Sequence, residues 1–382
     1  MNLSSEICVY VITASGLSET VVIPREMSSG KRSSYNRSGG TTVLRKGYVT
    51  GTAWLLLMAL LTACSSSTND VLHSDTIESP IASAMAEATS PSAPEADSDP
   101  PKPGSKGFLW RVTGGENSGY LVGTIHVARK EMYPLDEDLE QAVADADYIG
   151  LELDLTTVDQ LAMAKLVAEK ALLKDGTELR DHVSEEDYEK FKQLMKKSLG
   201  IVGSSAFDKY KPWYGAMTLE ALPATKYKEA DGIDIHLAKQ AHDNGKTIIE
   251  LESVESQLGI FDGFTDELQM NYFHQTVKGA GLASIGLKQM LDMWTLGDVT
   301  ILEKMHDSYI KDGRKTMGDL FDEFDREFLV NRNIGMVEKI DRYLSEGDKG
   351  TYLFAVGSLH MVGEHGLVEE LENRGYEVEY ID

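Results

Sequence analysis

The sequence predicts an α/β fold: a central mixed sheet built from the N- and C-terminal segments of the folded region, with a large helical insertion lobe over one edge. Three observations carry this. Short runs rich in β-branched and aromatic residues lie at both ends of residues 107–382. The middle of that region repeats its apolar residues at helical spacing. Near both ends strand and helix alternate, which is the pattern of an α/β layer.

Taken in order, Phe108–Val112 and Tyr120–Gly123 flank Gly114-Gly115-Glu116-Asn117 and read as a hairpin. A helix over 135–146 leads into the strand Tyr148–Leu153. Helical windows follow at 157–174, 184–198, 210–222 and 232–243, the second opened by Ser184 and Asp187 as a capping box. Lys246–Leu251 is a further strand. Windows at 264–279, 284–296, 298–311 and 318–344 complete the helical lobe. Between two of them, Gly279-Ala-Gly281-Leu-Ala-Ser284 lacks the third glycine of a dinucleotide fingerprint and follows a helix, so it reads as a helix break. The strand Tyr352–Val356, a helix over 364–373 and the strand Tyr376–Ile381 close the chain.

The segment before this region reads as an address. Residues 1–26 carry no periodic pattern, and Met27 competes with Met1 as the start. Lys31, Arg32, Arg37, Arg45 and Lys46 form a basic stretch ahead of the apolar run Ala53–Leu61. That run is too short for the ~20 residues a membrane-spanning helix needs, and has the size of a signal-peptide core. Leu61-Thr62-Ala63-Cys64 resembles the bacterial lipobox, whose cysteine becomes the lipidated first residue. Cys8 is the only other cysteine, so a chain starting at Cys64 has no disulfide and no thiolate metal site. Residues 65–106 hold no aromatic residue and six of the ten prolines. Such a stretch buries too little apolar surface to order itself and reads as a tether. The expected organisation is therefore a leader over 1–63, a lipidated Cys64 and tether over 64–106, and one domain over 107–382, held at the extracytoplasmic face of a membrane.

Charge narrows the function. Lys and Arg number 37 against 62 Asp and Glu, a net −25. A field of that sign repels phosphate backbones and argues against nucleic-acid binding.

One pattern occurs twice. Tyr120-Leu-Val-Gly123-Thr-Ile-His126 is followed by a helix and a strand, and so is Phe354-Ala-Val-Gly357-Ser-Leu-His360. In open α/β sheets functional groups gather at the carboxyl ends of strands. Glycine at a strand end allows a sharp turn or a close approach. Two such strands side by side place His126 and His360 in one cleft, and paired imidazoles are natural ligands for a divalent transition metal. Taken singly, each is more often a structural histidine. Glu152, in Gly150-Leu-Glu-Leu-Asp154, supplies a carboxylate as third ligand or as the general base for a water. Its plain alternative is a rim carboxylate facing solvent. Glu250-Leu-Glu252 ends another strand, and Asn331-Arg332-Asn333 lies in a helix, where Arg332 is either an oxyanion or carboxylate binder or an ordinary surface arginine. His182, His236, His242, His274 and His306 lack ligand spacing and read as structural. No His-Glu-x-x-His, Gly-x-Ser-x-Gly or P-loop is present.

These residues resemble the TraB/GumN (PrgY) family, related to the TIKI metalloproteases. The resemblance rests on Gly123–His126, Gly150–Asp154, Gly232-Ile-Asp234, Leu251-Glu252-Ser253, Gln257-Leu258, Arg332-Asn333, Val356–Gly363, Gly366-Leu367 and Gly375–Val378. It implies an α/β core with a helical lobe, distantly similar to ChaN-like haem-binding lipoproteins and erythromycin esterases. It also implies a metal-dependent peptidase with manganese or cobalt, zinc being a further option. His126 and His360 then become site histidines, Glu152 a catalytic or ligating carboxylate, and Arg332 and Asn333 site-lining groups. The competing expectations are a lipoprotein that captures an extracellular peptide without cleaving it, and a haem- or metal-binding protein. The helices over 264–344 offer a face for a homodimer.

Overall fold

The computed structural model describes residues 7–13, 16–23 and 104–382. The apolar run Ala53–Leu61, the Leu61–Cys64 tetrad and the tether up to residue 103 lie outside the described residues. Among the described residues no helix is long and apolar enough to cross a membrane. An antiparallel hairpin, β1 (Ile7–Thr13) and β2 (Gly16–Ile23), forms a two-stranded sheet of its own.

The domain's sheet has six strands: β3 (Phe108–Thr113), β4 (Ser118–Thr124), β5 (Tyr148–Leu151), β6 (Thr247–Glu250), β7 (Thr351–Gly357) and β8 (Glu377–Tyr380). Their order across the sheet is β6-β5-β7-β4-β3-β8. The first four run parallel; β3 is antiparallel to both of its neighbours. The sheet is thus mixed and assembled from both ends of the domain, as the sequence predicts. The chain threads β7 between β4 and β5, and residues from Tyr352 to Val356 are all buried. A continuous apolar run is what a central parallel strand, covered on both faces, requires. On the antiparallel edge, β8 alternates exposed and half-buried positions.

Helix α1 (Glu137–Asp145) links β4 to β5 and buries Leu139, Ala142 and Val143, one face of a helix. The insertion between β5 and β6 holds α2 (Gln160–Ala171), α3 (Glu185–Ala206), α4 (Pro212–Ala221) and α5 (Ile233–Asp243). That between β6 and β7 holds α6 (Val254–Asp262), α7 (Asp266–Gly279), α8 (Ala283–Leu296), α9 (Val299–Met317), α10 (Leu320–Asp325) and α11 (Asn331–Glu346). The short α12 (Leu367–Asn373) precedes β8. Aromatic rings knit the lobe together: Phe261 lies 6.0 Å from Trp213 and 5.9 Å from Phe328, which stacks on Phe324 at 5.0 Å.

Three local details differ from the sequence reading. Ser184 caps α3 by accepting the Asp187 N–H at 3.1 Å. Asp187 returns its carboxylate to the Ser184 hydroxyl at 2.6 Å rather than to the backbone, being one methylene shorter than the Glu of a full capping box. The helix expected over 298–311 runs on to Met317, where Gly318 at φ 59° ends α9, and the one expected over 318–344 is α10 and α11 joined by a π-helical turn, Arg326–Val330. At the other boundary Ser105 and Lys106 already belong to the fold, their N–H groups donating to Pro134 O and Thr295 O.

Candidate functional site

The two Gly-x-x-His loops leave the sheet side by side. β4 and β7 pair in parallel with Thr124 opposite Gly357, so both chains turn off the same carboxyl edge. The Ser358 hydroxyl donates to Thr124 O at 2.8 Å and ties the loops together. Glycine at position 123 eases the close approach: a Cβ there would lie a tight 3.0 Å from Ser358 Oγ and 3.1 Å from Phe108 Cβ. The Trp294 indole N–H, donating to Gly123 O at 2.7 Å, fixes the end of β4 from the helical side.

His360 is 2% exposed. Its Nδ1 stands 2.5 Å from Asn333 Oδ1, and the Asn333 amide N–H₂ donates to His365 O at 2.7 Å. That second bond fixes which way the amide points, so Nδ1 is the protonated nitrogen and Nε2 keeps its lone pair. Burial, with Arg332 and His126 adding to it, holds this imidazole well below its usual pKa, and it is neutral.

His126 is different. Its side chain is 7% exposed, and Nδ1 stands 2.9 Å from Asp234 Oδ2. The approach is out of line for a hydrogen bond: both ring nitrogens of His126 and both carboxylate oxygens of Asp234 are buried with no hydrogen-bond partner. Burial pushes the His126 pKa down, but Asp234 and then Glu152 outweigh it, and the net direction is up. Asp234 reaches this place because Gly232 packs against the His126 backbone, where a Cβ would lie 2.3 Å from His126 O, and because Ile233 N–H donates to Ile125 O at 2.9 Å.

Glu152 follows β5. Its Oε1 accepts the Gly357 N–H at 2.7 Å; its Oε2 accepts from Arg332 Nη2 at 2.7 Å and Gln257 Nε2 at 3.3 Å. Three of its roughly four acceptor positions are therefore filled by the protein. It is buried, not a rim group. Arg332 is also buried, aimed inward from just past the π-helical turn; it bonds Glu252 through Nε at 2.9 Å and Nη2 at 2.5 Å, and Phe328 O through Nη1 at 3.3 Å. Every nitrogen of the guanidinium is engaged, which corrects both sequence readings: it is neither a surface arginine nor a free oxyanion binder. Burial pushes the Arg332 pKa down and the Glu252 pKa up; their mutual attraction outweighs both effects. Asp154, two residues on, turns instead to Thr156 and to His242 Nε2 at 2.7 Å.

A small pocket, open on one side, is lined by Thr124, His126, Glu152, Asp234 and Gln257 with an apolar wall of Leu153, Leu155 and Ala355. His360 is not among its lining residues. Among the described residues no three His, Cys, Asp or Glu side chains converge as a ready ligand set, so the expected triad of His126, His360 and Glu152 is not assembled as such. The donor chemistry of the pocket nonetheless fits a cation. Glu152 shares one buried guanidinium with Glu252, while Asp234 stands beside His126, and the ring nitrogens and carboxylate oxygens of that pair are orphaned. Sequence reasoning passed over Asp234 and Gln257 as site residues, naming them only as family markers. The one local signal was an acid in the first turn of a helix after a glycine.

The model of the TraB/PrgY/gumN family matches residues 108–380. The chain belongs to this family. The chain is similar to the uncharacterized protein YbaP of Escherichia coli K12, 28% identical over 264 residues, which are 67% of this chain and 89% of the relative. A metalloprotease TIKI homolog of Nematostella vectensis is 22% identical over 329 residues, 75% of this chain and 69% of the relative. The metalloprotease TIKI2 of Danio rerio is 23% identical over 316 residues, 72% of this chain and 60% of the relative. No solved structure matches.

Proposed function

We propose that this family member is a metal-dependent hydrolase that cleaves peptides at the cleft between the two Gly-x-x-His loops. The observation that carries the reading is His126: a buried imidazole with both nitrogens unpartnered, in a pocket with an excess of carboxylates. Buried polar atoms are rarely left without partners, and such a set is what a divalent ion binds. The peptide class rests on the distant likeness to metalloproteases.

His126 is the ligand at the pocket, and His360, kept neutral by burial, is the second imidazole behind it. A bound divalent ion supplies a Lewis acid that polarises a carbonyl and eases the deprotonation of a water. The protein's own contribution is positioning. Asn333 fixes the His360 tautomer. Arg332, held between Glu152 and Glu252, locks the helical lobe to the ends of β5 and β6. Glu152, anchored by Gly357 N–H, directs negative potential at His126. Leu153, Leu155 and Ala355 give the pocket an apolar wall beside the polar groups. The Leu61–Cys64 tetrad supports lipidation at Cys64 and action at the extracytoplasmic membrane surface.

The test is a peptide-library cleavage assay with added Mn, Co or Zn on wild type and His126→Ala. Metal-dependent cleavage, absent in the variant and abolished by chelation, supports the reading. Peptide bound without cleavage, and unaffected by chelator, overturns it in favour of peptide capture.

A further inference from the structure

We infer that Asp234, and not Glu152, is the anionic ligand of the cation site, and that His126 Nδ1 and Asp234 Oδ2 are adjacent donors to one ion. This rests on the metal-dependent reading above and names the donor set within it.

The geometry separates three explanations of the pair. A hydrogen bond would align the ring N–H with the carboxylate; here the atoms are 2.9 Å apart and misaligned. A protonated imidazole paired with aspartate would still seek that alignment and a partner for its second nitrogen, yet both nitrogens are unpartnered. Two ligands on a shared ion need no alignment with each other. Donor atoms about 2.1 Å from one octahedral ion, at right angles, stand about 3.0 Å apart. The observed 2.9 Å suits that edge and a hydrogen bond equally, so the misalignment, not the distance, separates the two.

Burial strengthens the case. The side chains of His126 and Asp234 are 7% and 8% exposed, and leaving four polar atoms unpaired at that depth costs several kcal/mol in total. The backbone around them is built for the arrangement, with Gly232 seated on His126 and Ile233 bonded to Ile125. Glu152 offers nothing comparable, because Gly357, Gln257 and Arg332 already occupy it.

The test is titration of the metal-free full chain with MnCl₂, free Mn²⁺ being read by electron paramagnetic resonance, for wild type, Asp234→Asn and Glu152→Gln. Asn keeps the shape of Asp234 and its ability to accept a hydrogen bond, but loses the charge. The expected result is one site in wild type, weakened by more than about 100-fold in Asp234→Asn and by less than about 10-fold in Glu152→Gln, the latter being the range of an outer-shell change. Unaltered binding by Asp234→Asn overturns this inference while leaving the metal reading intact. No binding by wild type overturns both. Should a variant fail to fold, Mn-soaked crystals of wild type decide: an anomalous peak bonded to both His126 and Asp234 supports the assignment, and a peak on Glu152 alone refutes it.

Discussion

Glu220, on α4, is 5% exposed, and no cation is bonded to it. Tyr272 donates to one carboxylate oxygen at 2.7 Å and Thr276 to the other at 3.1 Å. Burial outweighs these two bonds and pushes the carboxyl from 4.5 up to about 7. A carboxyl whose folded pKa is raised prefers to be neutral in the folded protein. Its stabilising contribution is therefore complete below the unfolded value and is lost as pH rises through about 7. At 1.36 kcal/mol per unit the loss is about 3 kcal/mol. Glu220→Gln removes the titration and keeps the shape. Urea unfolding of both proteins at about pH 4 and about pH 8 isolates the effect, because other titrating groups cancel in the difference. The variant's stability relative to wild type should rise by about 3 kcal/mol between the two conditions. A gap that stays constant across that range would refute the reasoning.

The other predictions concern the site and the address. Arg332→Ala leaves Glu152 and Glu252 buried without their cation, a loss of about 3–5 kcal/mol, and should lower the melting temperature by roughly 6–20 °C by calorimetry; a shift under about 2 °C would contradict the buried pairing. Gly232→Ala forces a Cβ to within 2.3 Å of His126 O, so it should cost about 1–3 kcal/mol and weaken Mn²⁺ binding by displacing Asp234; unchanged melting and titration curves would count against that seat. Cys64→Ser should abolish incorporation of labelled fatty acid and release the protein from the membrane fraction, whereas persistent label would exclude Cys64 as the anchor.

The sheet was legible because its strands are short, apolar and bounded, and because the repeated Gly-x-x-His exposed the pairing of β4 with β7. Helix α6 was not: over the nine residues Val254–Asp262 the helical stripe Val254, Gln257, Leu258, Phe261 is short and one of its positions is polar. The gap between the windows at 298–311 and 318–344 marked the break before α10, but not that α9 runs on to Met317. At the site, His126, His360 and Asn333 could be read from local motifs. The burial of Arg332 could not, because its carboxylate partners lie 180 and 80 residues away. Asp234 was missed for a related reason. An acid in the first turn of a helix is the ordinary complement to the helix dipole, and only the fold brings it to an orphaned imidazole.

The most direct test of the account is elemental analysis of the untagged full chain, wild type beside His126→Ala/His360→Ala, after exposure to Mn, Co and Zn. The account predicts about one equivalent of transition metal in wild type and none in the double variant. Wild type without metal, or a double variant that retains it, would contradict a metal site at the paired histidines.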